Sequence, residues 1–182
     1  MKRGGEFIQG YNCQIVVDSA NQIIVAEAVT NQPPDTDHLA PMLDLLRRNT
    51  GQLPRRLSAD AGYMSVSNVT VCEDQGVDAY LAVGRDKHGA DGEAEGPRHG
   101  SEAWNAMRDK LRTEEGRSVY ARRKVIVEPV FGHATQARRF RLFSLRGLRK
   151  VRAEWTLVCL CGNLLKLVNS TLVRVSMASE VS

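Results

Sequence analysis

The sequence predicts an α/β fold in which an antiparallel hairpin is set on a parallel sheet and helices flank it. Three observations carry that expectation. Short β-branched runs alternate with stretches of helical period in the order strand, strand, helix, strand, helix, strand. Helical patterning then takes over the C-terminal half. The length of 182 residues with 42% hydrophobic content suffices for one sizeable core and is short for two domains.

Residues 12–18 and 23–30 are β-branched and are separated by Ser19-Ala20-Asn21-Gln22, a turn composition, so they read as a hairpin. Pro33 and Pro34 break the strand, and Asp35 and Asp37 are read as caps for the helix that follows. Leu39, Met42, Leu43 and Leu46 recur at helical spacing, and Thr50-Gly51 closes that helix. Residues 56–59 form a short strand candidate after Pro54. Ser65 or Ser67 caps a second helix carrying Val66, Val69 and Cys72, which ends at Gly76. Residues 78–83 read as another strand. Residues 84–100 hold five glycines amid dense charge and read as a mobile loop or insertion. Helices follow from residue 101 or 102 to about 113, from 120 or later to 140, and from 150 to about 168. The expected organisation is one domain over residues 1–173 and a disordered tail over 174–182, with fraying from residue 170.

Charge is distributed unevenly. Residues 117–152 contain eleven Lys/Arg against one acid, Glu128, a local charge of +10 that leaves −6 elsewhere for the overall +4. That asymmetry, with a pI near 9.0, points to a polyanion such as nucleic acid and away from a small acidic metabolite. Met1 to Glu6 leads into polar sequence with no apolar leader core. The longest apolar run, residues 155–168, is interrupted by Asn163 and Lys166 and falls short of the roughly 20 residues that span a bilayer. The chain also lacks a Lys-rich amphipathic helix with aromatic anchors, so an anionic membrane surface is a poor match. Cys13, Cys72, Cys159 and Cys161 show no paired metal spacing, and the last two diverge on a helix. This usage fits a reducing cytoplasm without zinc or disulfides. His38, His88, His99 and His133 read as surface residues.

Two carboxylates stand out. Asp60 lies just past the strand at 56–59, at the carboxyl end of a strand, where ligands and metals bind in open α/β sheets. Glu128 is embedded in the basic stretch, and Pro129 beside it means that a helix either begins here or kinks here. Two such acids can converge on a hard cation, which prefers oxygen ligands. The expectation is that they face each other across one end of the sheet.

The motif Ser58-Ala59-Asp60-Ala61-Gly62-Tyr63 occurs with Val127-Glu128-Pro129-Val130-Phe131-Gly132, Arg139-Phe140, Leu145-Arg146-Gly147-Leu148 and Cys161-Gly162-Asn163-Leu164-Leu165-Lys166-Leu167. Together these resemble the C-terminal part of bacterial insertion-sequence transposases, the DDE enzymes with a ribonuclease-H-like catalytic domain. Gly10-Tyr11-Asn12-Cys13-Gln14, Val17-Asp18 and Leu39-Ala40-Pro41-Met42-Leu43 extend the likeness over about residues 10–168. The resemblance implies a ribonuclease-H-like mixed sheet with flanking helices. It implies that Asp60 and Glu128 are the second and third acids of the catalytic triad, binding Mg²⁺ or Mn²⁺. Tyr120, Arg123 and Glu128 resemble the signature that contacts transposon-end duplex DNA, although the family's final lysine is Thr135 here. Arg122, Arg138, Arg139, Arg141 and Arg146 complete the implied phosphate-contacting set. Implied protein partners are a second copy or the full-length enzyme, and the implied location is the cytoplasm at the nucleoid.

The family's first acid sits on the central strand of the sheet, upstream of the hairpin. The eleven residues before the hairpin contain no run that reads as a strand ending in Asp. Asp18 ends a strand antiparallel to that one, at the opposite edge, and is better read as shaping the turn with Asn21. The sheet is therefore expected to lack its central first strand, as in a transposase remnant or the second part of a split or frameshifted gene. Two functions follow: a DDE transposase that cleaves and transfers strands once completed, or a non-catalytic DNA-binding remnant. Whether the chain itself is an enzyme turns on that first acid.

Overall fold

The computed structural model describes residues 2–3, 6–7, 10–84, 101–134, 140 and 142–179, with side chains at 10–84, 101–134, 140 and 142–170. Among them are six strands in three separate pairs and five α-helices. Strands β1 (Lys2–Arg3) and β2 (Glu6–Phe7) pair antiparallel, as do β3 (Asn12–Val17) and β4 (Ile24–Thr30). Strands β5 (Arg56–Ala59) and β6 (Asp78–Leu81) pair parallel. The mixed α/β class is as the sequence predicts. Among the described residues no ladder joins β3 and β4 to β5 and β6.

Compactness divides the chain into residues 1–33 with 126–182, and residues 34–125. Each unit has its own cluster of buried residues.

In the first unit, β3 and β4 pack against helix α5 (Leu148–Ser179). Val29, Val151, Trp155 and Cys159 form its buried centre. The hairpin turn is built by Asp18, whose Oδ2 accepts from the Asn21 amide at 2.7 Å, while Gln22 takes a positive φ of 56°. The turn-forming reading of Asp18 holds.

Helix α5 supplies what a neighbouring strand would. The Asn163 side chain accepts from the Ile24 N–H at 2.9 Å and donates to the Ile24 carbonyl at 2.8 Å. Arg152 Nε donates to the Val29 carbonyl at 3.0 Å, and Lys166 donates to the Gln22 carbonyl. Side chains thus satisfy part of the strand edge that would otherwise be left unpaired. The helix is also longer than predicted, running through residues 170–179 where the sequence reading placed a frayed tail.

In the second unit, helix α1 (Leu39–Thr50) buries Leu39, Met42, Leu43 and Leu46, the predicted face. Gly51 closes it in the left-handed region at φ 77°, its N–H bonded to the Arg47 carbonyl. Helix α2 (Val66–Asp74) is capped by Ser65, whose Oγ accepts from the Asn68 N–H at 3.1 Å, and not by Ser67. Helix α3 (Glu102–Arg112) covers β6: Met107 Sδ accepts from the Leu81 N–H. Lys110 donates to Asp78 and to the Ala79 carbonyl and lies 4.3 Å from the Tyr80 ring centroid. Desolvation works to raise the Asp78 pKa, but the hydrogen bonds from Lys110 and Tyr80 and the charges of Lys110 and Arg56 outweigh it and hold the carboxyl below its ordinary value.

Helix α4 (Glu114–Gly132) begins six residues before the predicted Tyr120. Thr113 Oγ1 accepts from the Gly116 N–H at 2.9 Å, and Glu114 and Glu115 occupy the first turn, a strong start signal. Gly116 permits the close approach to α3, since a Cβ there would lie 2.1 Å from the Lys110 carbonyl oxygen. Pro129 lies inside α4, so of the two readings at Glu128 the longer helix is correct. The loop expected at 84–100 lies outside the described residues apart from Gly84, as does the end of the helix predicted to reach residue 140.

Candidate functional site

Asp60 sits immediately after β5, exposed, at the carboxyl end of a parallel strand, where the sequence placed it. Its Oδ1 accepts from the Gly62 N–H at 3.1 Å, which opens the single helical turn Ala61–Tyr63 and fixes the carboxylate's orientation. Sequence reasoning missed its neighbour. Asp35 flanks the same glycine: a Cβ built on Gly62 would lie 2.5 Å from Asp35 Oδ2 and 3.2 Å from Asp60 Oδ1. Only glycine leaves room for the two carboxylates to approach from both sides.

The device that holds them together is Asn68. This buried side chain, 4% exposed, donates to the Thr36 carbonyl at 2.8 Å and to the Tyr63 carbonyl at 2.7 Å. It ties the Asp35 turn to the Asp60 turn from within α2. Tyr63 lies against both acids. Burial first, then the negative charges of Asp35 and Asp60, push its phenol well above the ordinary tyrosine range. The reading of Asp35 and Asp37 as helix caps is corrected. Neither the short Asp35–His38 turn nor α1 has a side-chain cap, and the Asp37 carboxylate instead accepts from the Thr36 hydroxyl at 3.4 Å.

Glu128 is exposed on α4, the helix that also carries Tyr120, Arg122, Arg123 and Lys124. Asp60 belongs to the 34–125 unit and Glu128 to the other. Arg123 stacks its guanidinium 5.5 Å from the Tyr120 ring centroid, and its Nε is buried with no hydrogen-bond partner. At that distance the cation is attracted to the face of the ring. Arg122, Lys124, Arg146, Arg149, Lys150 and Arg152 are exposed. Arg138, Arg139 and Arg141 lie outside the described residues, as does Thr135.

Among the described residues, no group of three or more His, Cys, Asp and Glu side chains gathers where one metal ion could be held. Asp35 and Asp60 offer two carboxylates, donors that suit a hard divalent cation. The cysteines do not compete for that role. Burial first, then a nearby glutamate in each case, pushes Cys13 and Cys72 up to about 11 and keeps both as thiols, Lys110 opposing the rise only at Cys72. Cys159 is buried and Cys161 exposed, diverging as predicted. His133 is exposed, but His38 is half-buried with its Nε2 enclosed and lacking a partner, so the surface reading fails there. No described helix is long and apolar enough to cross a membrane.

Asp60 follows a parallel strand, and α4 carries Arg122, Arg123 and Lys124 ahead of Glu128 in a mixed α/β chain. The chain matches the transposase DDE domain model over residues 1–164, and it belongs to that family. Members of this family bind DNA and typically work with a divalent metal. No curated protein and no solved structure matches the chain significantly.

Proposed function

We propose that the chain is the catalytic-domain portion of an insertion-sequence transposase of ribonuclease-H-like fold, acting on transposon-end duplex DNA at the bacterial nucleoid. The family match over residues 1–164 carries this reading. Asp60 and Glu128 are its metal-binding acids, with Asp35 beside Asp60, and Mg²⁺ or Mn²⁺ is the cation. When bound, such an ion acts as a Lewis acid at the scissile phosphate. The chain's own contribution is positional. The Gly62 N–H orients one oxygen of Asp60 and leaves the other for a ligand. The buried Asn68 amide keeps Asp35 alongside. Arg122, Arg123 and Arg146, together with Arg138, Arg139 and Arg141, hold phosphates, Arg123 being braced on Tyr120.

Two measurements test the proposal. Mn²⁺ binding followed by electron paramagnetic resonance should weaken by at least about tenfold in Asp60→Ala. Unchanged Mn²⁺ binding in both Asp60→Ala and Glu128→Ala overturns the metal assignment. Duplex DNA affinity should fall steeply with salt, since about six phosphate contacts give a slope near −5 in log K against log salt. A flat response overturns the DNA assignment. Salt-dependent binding without metal-dependent strand cleavage identifies the chain as a DNA-binding module.

A further inference from the structure

The most exposed large apolar side chain among the described residues is Leu142, at 84%, followed three residues later by Leu145 at 44%. Both belong to the loop that leads into α5. An exposed leucine on a frayed loop would mean little. This loop is pinned at four places. The Glu154 carboxylate accepts from the Ser144 N–H at 2.8 Å and from the Leu145 N–H at 3.0 Å. The Tyr11 hydroxyl accepts from the Gly147 N–H at 3.0 Å, and Gly147 turns the chain in the left-handed region at φ 86°. Phe143 points inward, its ring packed edge-on against Tyr11 at 5.7 Å and against Phe140 at 5.1 Å. Leu142 is therefore held outward on a pinned loop, its own side chain left almost wholly in solvent.

The charges around it select the partner. Arg146, Arg149, Lys150 and Arg152 follow within ten residues and are exposed. The nearest acid in sequence, Glu154, is already engaged by two backbone amides. A second copy presenting the same surface would be repelled, whereas duplex DNA is attracted. Proteins that distort duplex DNA insert apolar side chains between base steps while flanking cations hold the adjacent phosphates.

We infer that the Leu142–Gly147 loop is a DNA-distorting wedge, with Leu142 entering a base step and Arg146 fixing the phosphate beside it. Glu154 is a positioning residue that holds the loop in shape. This inference rests on the DNA-binding reading above.

The test uses the full chain and relaxed closed-circular plasmid, treated with a topoisomerase and then stripped of protein, so that any unstacking remains as a change in linking number. Wild type should change the linking number. Leu142→Ala should bind with affinity within about threefold and with the same salt slope, yet lose most of the change. Glu154→Ala should lose it too, with an unaltered far-ultraviolet spectrum. A full linking-number change in Leu142→Ala overturns the wedge. So does a Leu142→Ala effect confined to self-association measured by light scattering. No salt-dependent binding by wild type sinks the DNA-binding reading itself, a result separable from failure of the wedge.

Discussion

A carboxylate at a strand end was legible in the sequence because a short β-branched run after a proline fixes where the strand stops, and so where Asp60 falls. Asp35 was not legible as its neighbour. It lies twenty-five positions away, and the contact depends on Asn68, a polar side chain buried inside a helix. A sequence pattern gives no sign that such an amide turns inward. The crowding at Gly62 yields a specific expectation. Gly62→Ala would drive a methyl into the Asp35 carboxylate, and overpacking of this kind costs about 1–3 kcal/mol. Combining it with Asp35→Ala should recover much of that loss, with a coupling of about 0.5–3 kcal/mol in urea unfolding. Additive losses would show that the two residues do not share the space.

Helix starts and docking residues behaved differently at the scale of elements. The start of α4 was present in the sequence as Thr113 followed by two acids, but the competing pattern ending α3 at the same threonine masked it. Asn163 and Lys166 were legible only as interruptions of an apolar run. Their positive role emerges from the fold, where Asn163 serves both backbone groups of Ile24 and Lys166 reaches the hairpin turn. Removing the amide leaves a donor and an acceptor on β4 without their partner, at a cost of about 1–3 kcal/mol. Asn163→Ala should therefore lower the urea midpoint clearly. Leu157→Ala, on the exposed side of the same helix, should stay within about 0.5 kcal/mol of wild type. Equal effects from the two would mean that α5 docks through general apolar contact and not through Asn163.

The division into two units was not legible at the scale of the molecule because one of them is discontinuous. Residues 1–33 and 126–182 meet only through folding, and no linker composition marks the junctions. The class of fold was legible, since alternation of strand and helix patterns survives whatever the sheet arrangement. The service of the β4 backbone by α5 side chains was not, because a polar residue in an apolar run does not show which backbone group it meets. The chain's two tryptophans report on the units separately: Trp104 packs against the core built on Leu43 and Leu81, and Trp155 is buried with Val29 and Val151. The two buried clusters have no residue in common, and parts of a protein with separate buried centres can open at different free energies. Unfolding should then depart from a single two-state transition. In Trp155→Phe the remaining fluorescence should follow the 34–125 unit, in Trp104→Phe it should follow the hairpin and α5, and the far-ultraviolet signal of each variant should contain both steps. Fluorescence and circular dichroism that coincide throughout urea unfolding in both variants would mean that the two cores melt as one cooperative body.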